Sequence, residues 1–224
     1  MIVAILFIAL VSVTLAWSRF GYIAGIGGVA WLLSAVLSAL ITALPGWLQP
    51  DPVAAGFAMF VAFAIAVPIV EECFRAWGVR RVLARNAEGV FGYGLFWAFL
   101  EFWFNSVNRW LDSLFKELPI GIGWFWDWSW FELSLIATSS ILIHPINTAI
   151  LAKERRRFGA LGLCMVIHSA HNTFGLLYLA GHLSWWQLIA IRLVLLGSIC
   201  IAFGLRMPPL QRPQKACAAD DAIT

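Results

Sequence analysis

Glu71-Glu72-Cys73-Phe74-Arg75 follows directly on Val53–Val70, a stretch without a single charge. Two adjacent carboxylates and an arginine at the end of such a run are costly in a bilayer. Ionisable residues there usually mark proton, ion or substrate chemistry. Later hydrophobic segments carry Glu101, His144, and His168 with His171 and Asn172. Carboxylates and imidazoles in a partly dry site suit hydrolysis, in which a Glu takes a proton from water. A His can act with it, and His168 with Asn172 can stabilise an oxyanion. Alternatively, Glu72, His144 and His168 match a catalytic zinc set of two His and one Glu, with a fourth position left for water. The residue types satisfy both designs.

The elements that position these groups are apolar helices. The chain is 62% hydrophobic and 12% charged, with 13 Trp among 224 residues. A soluble domain would carry about a quarter charged residues. The expected fold class is all-α, a polytopic transmembrane helix bundle of about seven spans near 2–18, 23–45, 53–73, 89–105, 131–152, 159–180 and 184–205. The first segment also reads as a signal peptide. It lacks a basic start, and Arg19 follows it, so a retained helix is expected. Residues 1–206 form a single domain on this reading. Met207–Thr224, with Pro208, Pro209 and Pro213, reads as a disordered tail. Ser106–Trp130, rich in Trp, reads as an outer loop with an interfacial aromatic belt.

Basic residues set the orientation. Arg19, Arg80, Arg81, Arg85, Lys153, Arg155, Arg156, Arg157, Arg206, Arg212 and Lys215 share one side of this topology, against Arg109 and Lys116 on the other. The positive-inside rule then places the N-terminus outside and the C-terminus in the cytoplasm. The expected location is the cytoplasmic membrane, multi-pass. The partners are lipid and a membrane protein or peptide substrate, with no nucleic acid.

At ~1.5 Å per residue, depth can be read from the sequence. Glu71, Glu72, His144 and His168 all fall roughly 12–16 Å from the cytoplasmic flank, with Glu101 and Asn172 a little deeper. Polar groups on separate helices thus share a slab. Within helices, Glu71 and Arg75 stand at i,i+4, the favoured order for an ion pair, which leaves Glu72 free. His168 and Asn172 also stand at i,i+4, with His171 bordering that face. Asn147 reads as helix–helix glue. Arg192 reads as a snorkelling side chain or a partner of Glu132.

The order Glu71-Glu72-x-x-Arg75, then Phe-Trp-Ala-Phe-Leu-Glu101, His144-Pro-x-x-Thr148 and His168-x-x-x-Asn172 resembles the PrsW-type intramembrane proteases. These belong to a wider group with the CPBP (type II CAAX-protease-like) family. The likeness covers about residues 66–176. PrsW proteins usually have Lys where this chain has Arg75. CPBP proteins have a wider Glu–Arg spacing and a His in place of Glu101, so a PrsW-like or YhfC-like chain fits better. The resemblance implies an intramembrane endopeptidase in which the first Glu, Glu71, activates water and the second pairs with the basic residue. Helical spacing implies the reverse pairing, so both Glu remain candidates. The same wider group includes a non-catalytic scaffold. A scaffold or a proton-coupled transport-type protein is therefore the alternative.

Overall fold

The computed structural model describes residues 21–48, 51–85, 89–114, 130–153 and 158–204, with the side chains of most of them. The expected span over 2–18, the Trp-rich residues 115–129 and the tail 207–224 lie outside the described residues. The described elements are all helical, with no strand among them. They are α1 (Gly21–Leu48), α2 (Pro52–Val61), a π turn (Ala62–Ala66), α3 (Val67–Arg85), α4 (Gly89–Leu114), α5 (Trp130–Lys153), α6 (Phe158–Leu179) and α7 (Trp185–Phe203). Among the described residues, four stretches are long and apolar enough to cross a membrane: Gly21–Leu48, Val53–Ala84, Gly159–Tyr178 and Trp185–Ala202. Gly89–Phe104 is a shorter apolar helical stretch.

Local chemistry sets several boundaries. Asp51 caps α2 by accepting from Val53 N at 3.0 Å, with Pro52 in the first turn where no N–H is needed. Ser184 and Gln187 form a reciprocal capping box at the start of α7. Gly204, at φ 52°, ends it in the left-handed conformation.

The helix that carries Glu71 and Glu72 does not stop at the charges but runs on to Arg85. Nor does the chain become a loop at Ser106. α4 continues to Leu114 because Val107, Trp110, Leu111 and Leu114 keep the i, i+3, i+4, i+7 spacing.

The π turn has a readable cause. Proline has no N–H and its ring crowds the carbonyl four residues back. Just before Pro68 the helix widens, and Val67 N donates to Ala62 O, five residues back. In that register residue 68 would donate to Phe63 O, which a proline cannot do.

The core gathers Trp31 from α1, Val79 and Val82 from α3, Tyr93 and Trp97 from α4, Ile143 and Ile150 from α5, Cys164 and Ile167 from α6, and Leu196 from α7. Gly94 allows a close approach of α4 and α5, since a Cβ there would stand 2.8 Å from Pro145 Cα. Val53, Phe57, Val194 and Ile201 point outward, an apolar exterior suited to lipid.

Candidate active site

Glu72, Arg75, Ala76, Val79 and Val82 are all buried, along one inward stripe of α3. That stripe makes Glu72 the partner of Arg75. Arg75 Nε donates to Glu72 Oε2 at 3.1 Å. The pair expected from helical spacing, Glu71 with Arg75, is not the one formed. Arg75 cannot leave the buried stripe to follow Glu71, which sits on its flank. The guanidinium also lies over the Trp97 ring, 4.5 Å from its centroid, where the ring face favours a cation.

Glu72 accepts from two more side chains. Asn147 Nδ2 donates to Oε1 at 2.9 Å, and His168 Nδ1 lies 2.8 Å from the same oxygen. A carboxylate held by a guanidinium is an acceptor, so the proton of this contact belongs on His168 Nδ1. That fixes the imidazole and leaves Nε2 as its other face. Glu71 Oε2 lies 3.6 Å from His168 Nε2, beyond a direct hydrogen bond. Glu71 Oε2 has no hydrogen-bond partner among the described residues.

His144 Nε2 pairs with Glu101 Oε2, a second carboxylate–imidazole couple beside the first. The rings of His144 and His168 are 5.3 Å apart and nearly perpendicular. His144 Nδ1 has no hydrogen-bond partner among the described residues. Glu71, Glu72, Glu101, His144 and His168, from α3, α4, α5 and α6, therefore stand together.

Asn172 does not join them. Its Nδ2 donates to Phe63 O at 3.2 Å. That carbonyl stands five residues before Pro68, so the contact ties α6 to the π turn and directs one amide hydrogen at the backbone. His171 is buried beside His168, with ring centroids 6.5 Å apart. Its carbonyl accepts from Arg192 Nη2 at 3.1 Å. Arg192 is itself buried and so does not snorkel. The side chain of Glu132 lies outside the described residues.

Glu72, His144 and His168 each offer a ligand atom, and these atoms lie within 4.8 Å of one another. The set could hold a metal ion. Both Glu72 oxygens, however, already accept from Arg75, Asn147 and His168. By residue type alone Asn147 reads only as glue between helices. Its signal was available: it stands at i+3 from His144 on the same inward face. Trp97 gave no comparable signal, because its role depends on where Arg75 goes.

Compared with protein-family models, with curated proteins and with solved structures, the chain gives no match in any of the three.

Proposed function

We propose that the chain is an intramembrane endopeptidase in which Glu71 activates water for attack on a membrane-embedded or membrane-proximal peptide bond. The difference between the two adjacent glutamates carries this reading. The Glu72 side chain is 0% exposed and that of Glu71 17%. Glu72 accepts from three donors, while Glu71 turns an unbonded oxygen toward His168 Nε2. A general base needs an available lone pair, and Glu71 Oε2, itself buried, has one that no donor among the described residues occupies.

Glu71 takes a proton from water, and the hydroxide oxygen bonds to the carbonyl carbon. The C–N bond then breaks, and the proton passes from Glu71 to the leaving nitrogen. His168, its tautomer set by Glu72, holds the water on its Nε2 side. His144, set in the same way by Glu101, presents Nδ1 to the polar substrate atoms. The order of the four motifs, like that of PrsW-type proteases, supports the same assignment of Glu71. The shared depth of these groups, in a bundle of about seven spans with the C-terminus in the cytoplasm, supports a common site without choosing between the two glutamates.

A zinc hydrolase is the second reading, favoured by the mutual proximity of Glu72, His144 and His168. It places an ion on a carboxylate that already accepts three hydrogen bonds, beside a guanidinium that repels cations. The metal-free reading is therefore preferred.

The test uses full-length protein in lipid nanodiscs with a panel of transmembrane peptides, analysed by mass spectrometry. Wild-type protein should cleave at least one peptide, and Glu71→Gln and His168→Ala should not. Cleavage by both variants at the wild-type rate overturns the assignment. Folded wild-type protein that cleaves none supports the scaffold or transport alternative.

A further inference from the structure

Asn147 touches three helices at once. It belongs to α5, and its Nδ2 donates to Glu72 Oε1 on α3 at 2.9 Å and to Cys164 O on α6 at 3.3 Å. The thiol of Cys164 in turn lies 3.6 Å from the carbonyl oxygen of Asn147. Asn147 and Cys164 are both fully buried. Cys164 stands one turn before His168, so the carbonyl that Asn147 grips belongs to the turn that presents the imidazole. The two hydrogens of one amide thus bind the two things whose separation defines the Glu72–His168 contact: the acid itself and the helix turn behind the histidine.

We propose that Asn147 is a positioning residue that fixes the Glu72–His168 pair and thereby holds His168 in the Nδ1–H tautomer, with Nε2 turned toward Glu71. A mere packing role would need volume, which Leu supplies as well as Asn. The observed pattern needs a planar group with two donors. No other natural side chain of that size has them, since Asp replaces the amide nitrogen by an oxygen. Asp at this position would also set a second carboxylate against Glu72. The inference deepens the reading of the site proposed above. Its first readout requires no substrate, so it stands or falls separately from the peptidase assignment.

Full-length protein labelled with ¹⁵N-histidine has four imidazoles, His144, His168, His171 and His182. Their ring-nitrogen shifts in lipid report which nitrogen carries the proton. His168→Gln assigns the His168 signals. Wild-type protein should show His168 protonated at Nδ1. Asn147→Asp and Asn147→Ala should lose that signature or split it between tautomers. Ile150→Ala, a buried truncation on the same helix, should lower the melting temperature and leave the signature in place. If Asn147→Ala does not fold, the near-isosteric Asn147→Asp decides alone. Where cleavage is measurable, the Asn147 variants should lower kcat about 10- to 100-fold, the usual cost of losing an orienting partner, with KM little changed. An unchanged His168 signature in the folded Asn147 variants overturns the proposal, as does its equal loss in Ile150→Ala.

Discussion

Arg75 reaches back three residues to Glu72 rather than four to Glu71, and the resulting pair is fully buried. Removing one member of a buried ion pair leaves a charge without compensation, at a cost of about 3–5 kcal/mol. Arg75→Ala should therefore sharply lower the thermal unfolding midpoint in detergent. Arg75→Lys keeps the charge but lacks the planar group that stacks on Trp97, and should fall between Ala and wild type. Wild-type melting of the Ala variant would show the pair to be dispensable.

Adjacent glutamates should fail in different ways. Glu71→Gln removes an acceptor that has no hydrogen-bond partner among the described residues. It should keep near wild-type stability while cleavage falls about 10²- to 10⁴-fold, the usual worth of a general base. Glu72→Gln replaces an acceptor for three donors and leaves Arg75 uncompensated, so it should lose stability and activity together. Melting curves and cleavage rates on the same preparations check this. The opposite pattern, a stable but inactive Glu72→Gln, would move the base to Glu72.

Much of this site is legible in the sequence, and the illegible part has a common cause. Apolar runs give the helices, and the rise per residue puts Glu71, Glu72, His144 and His168 in one slab, with Glu101 a little deeper. Spacing along α3 allows Arg75 to reach either glutamate. The choice follows from which face is buried, and Glu72, Arg75, Val79 and Val82 at steps of three and four mark that face once read as one stripe. The role of Asn172 needs more than its own helix. Pro68 signals a missing donor, but only packing brings the Asn172 amide to the Phe63 carbonyl. Trp97 over Arg75 and Asn147 between Glu72 and Cys164 are likewise contacts across helices, which spacing within one helix does not report.

If Asn172 stands in for the N–H that Pro68 lacks, the two positions should be coupled. Asn172→Ala alone should lose one hydrogen bond, about 0.5–1.5 kcal/mol. With Pro68→Ala in place, the backbone supplies its own donor and Asn172→Ala should cost less. A double-mutant cycle on thermal or denaturant unfolding measures the difference, expected to exceed the few tenths of a kcal/mol seen for independent sites. Strict additivity would separate Asn172 from the π turn.

Metal content distinguishes the two hydrolytic designs. Zinc ligation requires deprotonated ligands and depends on pH, and chelators empty such sites. Glu72 already accepts from Arg75, Asn147 and His168, and a dication there would sit beside a positive guanidinium. Protein purified without chelator should therefore carry far less than one equivalent of transition metal, and a strong chelator should leave both melting temperature and cleavage unchanged. Arg75→Met offers a sharper contrast, because it removes the repelling cation and frees Glu72 Oε2. If Glu72, His144 and His168 retain their proximity in that variant, its zinc affinity should exceed that of wild type. One tightly bound equivalent in wild-type protein, with activity lost to chelator and restored by zinc, would reverse the preference and make Glu72 a metal ligand.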